Sequence, residues 1–257
     1  MIDKKILINE FDKVLGNDDR PIVIFSSIWP FFKSLNSANI ETLDLILDAF
    51  MIAAKNRTVL MPSFTKGFTN GVCNLDKAKS QNGVFSERFR EKYSTSRSHS
   101  AFFSYSASGA DAEQILSLKP KYAWGKNSIF EWMELCNARV LMLGTHCTTC
   151  SYIHRFEWLN KKKIIYRENK IFNGHLLINN RLIESQETLF VRKINPEAIN
   201  DFSHLQEYLI EAGMQSFKIL NVPVFLCDVS LIMDSITPVF AKDPLNTLVN
   251  KKDFLRL

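Results

Sequence analysis

Long apolar runs are missing from this 257-residue sequence. The longest, Val222 to Met233, is broken by Asp228 and falls short of the roughly 20 residues a membrane-spanning helix needs. No membrane span is therefore expected. Glycine and proline are sparse, at 9 and 8 residues, which excludes collagen-like and low-complexity classes, and 46% hydrophobic residues exclude a disordered chain. The five cysteines, Cys73, Cys136, Cys147, Cys150 and Cys227, are odd in number and unevenly spread. They indicate no disulfide framework and predict free thiols in a reducing compartment. Neither G-x-x-x-x-G-K-[ST] nor G-x-G-x-x-G occurs, so nucleotide hydrolysis and dinucleotide redox chemistry lose their main sequence support. The start, Met1-Ile2-Asp3-Lys4-Lys5, enters an amphipathic pattern rather than an apolar signal core, and the expected compartment is the cytoplasm.

Strong charge of one sign is absent too. Thirty-two Lys and Arg against 27 Asp and Glu leave +5. A nucleic-acid binder would carry a stronger basic stripe, whereas this mild excess suits a small polyanion such as a nucleotide or coenzyme A.

What the sequence does contain is an alternation of helical and strand patterns. Leu7, Phe11, Val14 and Leu15 mark one helical face that Gly16 ends. Residues 21 to 25 read as a strand leading into Ser26, Ser27 and an aromatic loop. Ile40 to Ala54 is the clearest helix, with Asn39 as its N-cap, and Thr58 to Met61 is a second strand ended by Pro62. Pro62 to Asn82 has little periodicity and is a candidate lid. Val84 to Lys92 reads as helical, Ala101 to Tyr105 as extended, and Ala110 to Ser117 as helical. Arg139 to Leu143 is a strand closed by Gly144, followed by a hydroxyl-rich turn and a helix around Tyr152 to Leu159. Strands are expected at Lys163 to Tyr166, Gly174 to Ile178 and Arg181 to Val191, the last two joined by Asn179-Asn180. A helix over Glu197 to Ala212, a strand near Val222 to Leu226 and a last helix after Asp228 follow. No linker, repeat or low-complexity tract divides the chain, so residues 1–257 read as one α/β domain with a hairpin subregion around 163–191.

Three groups of residues could carry chemistry. His154 and Glu157, at i and i+3 on a helix, project from one face, where a carboxylate can orient an imidazole. An isolated H-x-x-E is usually a surface pair, but this one follows a strand and a polar turn, the place where α/β sheets set ligand crevices. Cys147 and Cys150 beside His146 invite a zinc or redox reading. No second ligand pair follows, so packed thiols and no metal are expected. Ser26 and Ser27, after a strand, could present amides and hydroxyls to a phosphate or an acyl oxygen.

Taken together, the segments resemble the aminoglycoside 3-N-acetyltransferase family. The family's His-Ser-Ser is similar to Phe25-Ser26-Ser27, its M-P-[ST]-F-[ST] to Met61-Pro62-Ser63-Phe64-Thr65, and its G-x-x-x-E-x-F-R to Gly83, Glu87, Phe89 and Arg90. R-S-x-H-P-x-x-S-F is echoed by Arg97-Ser98-His99-Ser100-Ala101 with Ser104 and Tyr105. Gly109 with Ala112-Glu113 follows, then Gly125 with Asn127-Ser128, and last Leu143-Gly144, Ser151, His154 and Glu157. The sequence departs from the family pattern at Phe25, Ser100-Ala101 and Ile129.

The resemblance implies a three-layer α-β-α sandwich with a central mixed sheet and an added antiparallel hairpin. It also implies transfer of an acyl group from acyl-CoA, as co-substrate, to a primary amine of an amino sugar. His154 is then the expected general base and Glu157 its partner. Ser26, Ser27, Ser104, Thr148 and Ser151 are expected around the coenzyme, and Glu87 and Tyr105 on the acceptor side. No metal, nucleic acid or membrane partner is implied, and a homodimer is compatible. An alkylamine of pKa ~10.4 is almost wholly protonated at pH 7, so freeing its lone pair costs up to ~4.6 kcal/mol. An imidazole of pKa ~6.5 is suited to take that proton. The departures point away from drug inactivation and toward a biosynthetic, nucleotide-linked amino sugar of polysaccharide assembly. The competing readings are an aminoglycoside 3-N-acetyltransferase acting on antibiotics, a non-catalytic coenzyme or sugar binder, and a zinc hydrolase built on His146, Cys147 and Cys150.

Overall fold

The computed structural model describes residues 3–68 and 70–255. Its framework is a seven-stranded mixed sheet of β1 (Ile22–Ser26), β2 (Val59–Pro62), β4 (Ser96–Arg97), β5 (Tyr105–Ser108), β6 (Arg139–Leu143), β9 (Gln215–Ile219) and β10 (Val222–Asp228). They lie in the order β4-β5-β2-β1-β6-β10-β9. β1 runs parallel to both β2 and β6, and the remaining pairings are antiparallel.

The alternating side chains of the sheet sort the helices into two layers. Ile22 and Ile24 of β1 with Leu141 and Leu143 of β6 face one buried cluster, formed by α1 (Lys4–Leu15), α2 (Trp29–Leu35), α3 (Ile40–Ala54) and α4 (Val84–Lys92). Val23, Phe25, Val140 and Met142 face the other. That cluster includes α5 (Ile129–Leu135), α6 (Ile153–Leu159), α7 (Leu205–Glu211), α8 (Val229–Lys242) and Phe254 of α9 (Lys251–Phe254). The three-layer arrangement expected above is therefore present. Burying a side chain such as Phe11 or Phe50, both 0% exposed, contributes about 1.5–3 kcal/mol each.

Helix ends follow their caps. Asp3 accepts from the Lys5 amide at 2.9 Å to start α1, and Asn39 accepts from the Thr42 amide at 2.8 Å to start α3. The second sheet joins β3 (Val72–Asn74) to the long hairpin β7 (Arg167–Ile178) and β8 (Arg181–Arg192). Asn179 and Asn180, with φ of 51° and 59°, make the left-handed turn between the last two.

Several local expectations need correction. Lys163 to Tyr166 is a turn, because the amides of Lys163 and Ile164 return to the Asn160 carbonyl, and the strand begins at Arg167. Only Leu205–Glu211 of the predicted 197–212 helix is helical. Its first part is held extended by bridges from Glu197 to Ile194 and from Asn200 to Leu248. The strand predicted over 101–105 lies at Tyr105–Ser108 instead. The aromatic stretch after Ser27 forms α2, with Pro30 in its first turn. The proposed lid of residues 62–82 is anchored. β3 pairs with β7, and the Arg97 guanidinium reaches the carbonyls of Ser63, Leu75 and Ala78. Among the described residues no helix is long and apolar enough to cross a membrane.

Candidate active site

The parallel pairing of β1 with β6, with Ser26 opposite Leu143, delivers two turns to the same sheet end: Ser27 onward and Gly144 to Tyr152. Gly144 is required there. Its φ is +67°, and a Cβ would meet the Ser27 carbonyl oxygen at 2.4 Å. The second turn passes through a 3-10 segment, Cys147–Thr149, into α6.

In the first turn of that helix, His154 Nδ1 lies 2.6 Å from Glu157 Oε2. The carboxylate is wholly buried, 0% exposed, and does not stand alone. The Arg167 Nη2 donates to Oε2 at 2.9 Å, and the Tyr166 hydroxyl donates to Oε1 at 2.8 Å. Thr247 lies 3.1 Å from that hydroxyl and fixes it in turn. Burial would lift the Glu157 carboxyl. The charge and hydrogen bond of His154, the Arg167 charge and the Tyr166 hydroxyl together hold it below its ordinary 4.5. An ionised carboxylate facing Nδ1 accepts a hydrogen bond from the proton on that nitrogen, which leaves the lone pair of the neutral imidazole on Nε2.

His154 lines a cavity of about 400 Å3 together with Phe103, Trp124, Arg167, Phe190, Arg192, Asn200 and Phe202, among others. Trp124 and Phe202 meet the imidazole edge-on, with centroids at 5.7 and 5.4 Å. A polar ring clamped by two aromatic side chains is fixed in orientation while one face of the pocket stays apolar. Here a base can stand beside an amine.

The other expected residues are placed unevenly. Ser151 belongs to the turn that starts α6, and its hydroxyl lies 3.1 Å from that of Tyr105, a fully buried side chain whose phenol burial pushes up. Ser26 and Ser27 are partly buried, and Thr148 is exposed. The Ser27 amide already donates to the Leu143 carbonyl at 2.9 Å, so its hydroxyl is the group left for a ligand. Ser104 is fully buried and internally engaged. Its hydroxyl donates to the Ser63 carbonyl and receives the Arg97 Nε. Glu87 receives Arg90 and the Ser80 amide and does not line the His154 cavity. Burial pushes the Cys147 thiol up to about 12 and raises Cys150 as well, which opposes a thiolate nucleophile. Among the described residues no group of three or more His, Cys, Asp or Glu side chains is placed to hold a metal ion.

Sequence reasoning missed Tyr166, Arg167, Trp124, Asn200 and Phe202. They come from a turn, a strand start and an irregular segment, and nothing in their local pattern sets them apart.

The profile of one family, described as aminoglycoside 3-N-acetyltransferase, matches residues 41–241. The chain belongs to the aminoglycoside 3-N-acetyltransferase family. This is a family of acyl-CoA-dependent N-acetyltransferases acting on aminoglycoside amino sugars. The fold agrees with solved structures at low identity. YokD from Bacillus subtilis is 16% identical, with a TM-score of 0.75 and 95% of each chain covered. AAC-IIIb in a binary complex with CoASH is 18% identical, with a TM-score of 0.76 and coverage of 94% of this chain and 97% of that one. AAC-VIa bound to sisomicin is 15% identical, with a TM-score of 0.73 and coverage of 94% and 98%. No curated protein matches the sequence significantly.

Proposed function

We propose that this chain transfers an acyl group from acyl-CoA to the primary amine of an amino sugar, with the whole chain working as one transferase unit in the cytoplasm. The observation that carries the reading is the buried Glu157 holding His154 at the wall of a cavity, with no hydrogen-bond partner for Nε2 among the described residues. Family membership and a structural relative that holds CoASH support the donor.

In this reading the acceptor enters as an ammonium and loses a proton to Nε2 of His154. The freed nitrogen attacks the thioester carbon, the carbonyl oxygen takes negative charge, the nitrogen sheds its second proton to solvent, and collapse expels the coenzyme thiolate, which recovers a proton from the His154 imidazolium. Glu157 offsets the imidazolium while it exists and keeps its Nδ1 proton in place. The hydroxyls of Ser26, Ser27, Thr148 and Ser151 stand at the same sheet end for the pantetheine arm. Such base catalysis contributes about 10²–10⁴-fold.

The favoured acceptor is a nucleotide-linked amino sugar, consistent with the net charge of +5. Acylation of an aminoglycoside is the second reading, favoured by the relative bound to sisomicin. The test follows free thiol release from acetyl-CoA and longer acyl-CoAs against both classes of amine. Release with nucleotide-linked amino sugars supports the first reading, release with sisomicin alone supports the second, and none with any amine sinks both.

A further inference from the structure

The register of the hairpin sets Arg167 directly opposite Arg192, so the two side chains leave the same face of the sheet, and both line the His154 cavity. Like charges in that position repel. Only one of them is neutralised: Arg167 is paired with Glu157, whereas Arg192 has no ion-pair partner among the described residues, and its Nη1 reaches only the Ala198 carbonyl at 3.4 Å. Among the described residues no Asp or Glu lines this cavity. Three of its lining residues also carry buried polar atoms with no hydrogen-bond partner among the described residues: Trp124 Nε1, Arg167 Nε and Asn200 Oδ1. Two of these are donors, in residues 3% and 9% exposed. A buried donor without a partner is costly, and a ligand oxygen relieves it.

We propose that this cavity recognises an oxyanion on the acceptor, a carboxylate or a phosphate, through Arg192, Arg167 and Trp124. Asn200 is then the acceptor for an N–H or O–H of the same sugar, since Thr247 holds its Nδ2 at 3.3 Å and leaves Oδ1 free. An antibiotic bearing several ammonium groups would set like charge against Arg192, while an anionic amino sugar gains a charge-assisted hydrogen bond. The inference rests on the transferase reading and narrows its acceptor to sugars carrying negative charge close to the amine.

The experiment compares glucosamine, glucosamine 6-phosphate, glucosamine 1-phosphate and glucosaminuronic acid as acceptors by thiol release. The wild-type protein is assayed beside Arg192→Gln and Trp124→Phe. The expected result is a preference of about tenfold or more in kcat/KM for at least one anionic sugar over glucosamine. Arg192→Gln should erase that preference by raising the KM of the anionic acceptor. The phosphate and uronate arms tell which oxyanion is read. Equal kcat/KM for neutral and anionic sugars overturns the proposal, as does a rise in KM for acetyl-CoA matching that for the acceptor. Calorimetry with the same anionic sugars needs no turnover and separates this failure from that of the transferase reading. Weaker binding to Arg192→Gln supports the oxyanion site even in an inactive protein. Equal or absent binding in both forms overturns it.

Discussion

His154 and Arg167 share a single oxygen of Glu157. Oε2 lies 2.6 Å from the imidazole Nδ1 and 2.9 Å from the Arg167 Nη2, inside a core where the carboxylate sees no solvent. The arrangement makes one buried charge serve two tasks: it orients the imidazole and it neutralises the cation beside it. Glu157→Gln therefore strands Arg167. We expect a loss of about 3–5 kcal/mol in denaturant unfolding, the cost of breaking a buried pair, together with a fall in kcat. An unchanged unfolding midpoint would remove the charge-neutralising role.

His154→Ala separates the enzyme from a passive binder. The imidazole is 28% exposed, so the fold should survive, while kcat for amine acylation drops about 10²–10⁴-fold. Coenzyme binding, read by calorimetry, should persist. Turnover equal to that of the parent protein would refute the base assignment.

Tyr166→Phe tests the acid limit of the dyad. The folded Glu157 carboxyl titrates below its ordinary 4.5, so its stabilisation is complete above that value and fades as the pH drops through the lower folded value. Removing the Tyr166 hydroxyl takes away one donor to the carboxylate and raises the folded value. The acid-unfolding midpoint should move to higher pH, and a midpoint that stays or falls contradicts the network.

Gly144→Ala probes the turn after β6. The left-handed φ of +67° and the 2.4 Å approach to the Ser27 carbonyl leave no room for a methyl group. The substitution should cost about 1–3 kcal/mol and lower kcat by shifting the turn that leads to His154. A thermal midpoint and kcat equal to those of the parent would show that the turn is adaptable.

Asp18→Asn reports on a charge cluster away from the site. Hydrogen bonds from Arg20 hold the Asp18 carboxyl at about 2, below its ordinary 3.8, and Arg20 also binds Asp228 of β10. The stabilisation is present above 3.8 and is lost as the pH falls through about 2. The variant should be less stable than the parent at pH 6, with the gap closing toward pH 2. A gap independent of pH would point to packing instead.

Local chemistry settled much of this protein before any folding is considered. Asn39 and the spacing from Leu43 to Ala54 dictate α3, Asn179-Asn180 dictates a hairpin turn, and the i to i+3 step from His154 to Glu157 puts both on one helical face. These features depend on residues within a turn or two of each other, so a sequence pattern records them. The rest of the candidate site depends on contacts across long stretches of chain. Thr247 meets Tyr166, Arg192 stands opposite Arg167, and Trp124 and Phe202 close on the imidazole only because stretches of chain distant in sequence pack around α6. Their pattern in sequence is ordinary, since what makes them functional is burial and mutual distance. The sequence determined which imidazole faces which carboxylate, whereas tertiary packing alone decided which charges surround them.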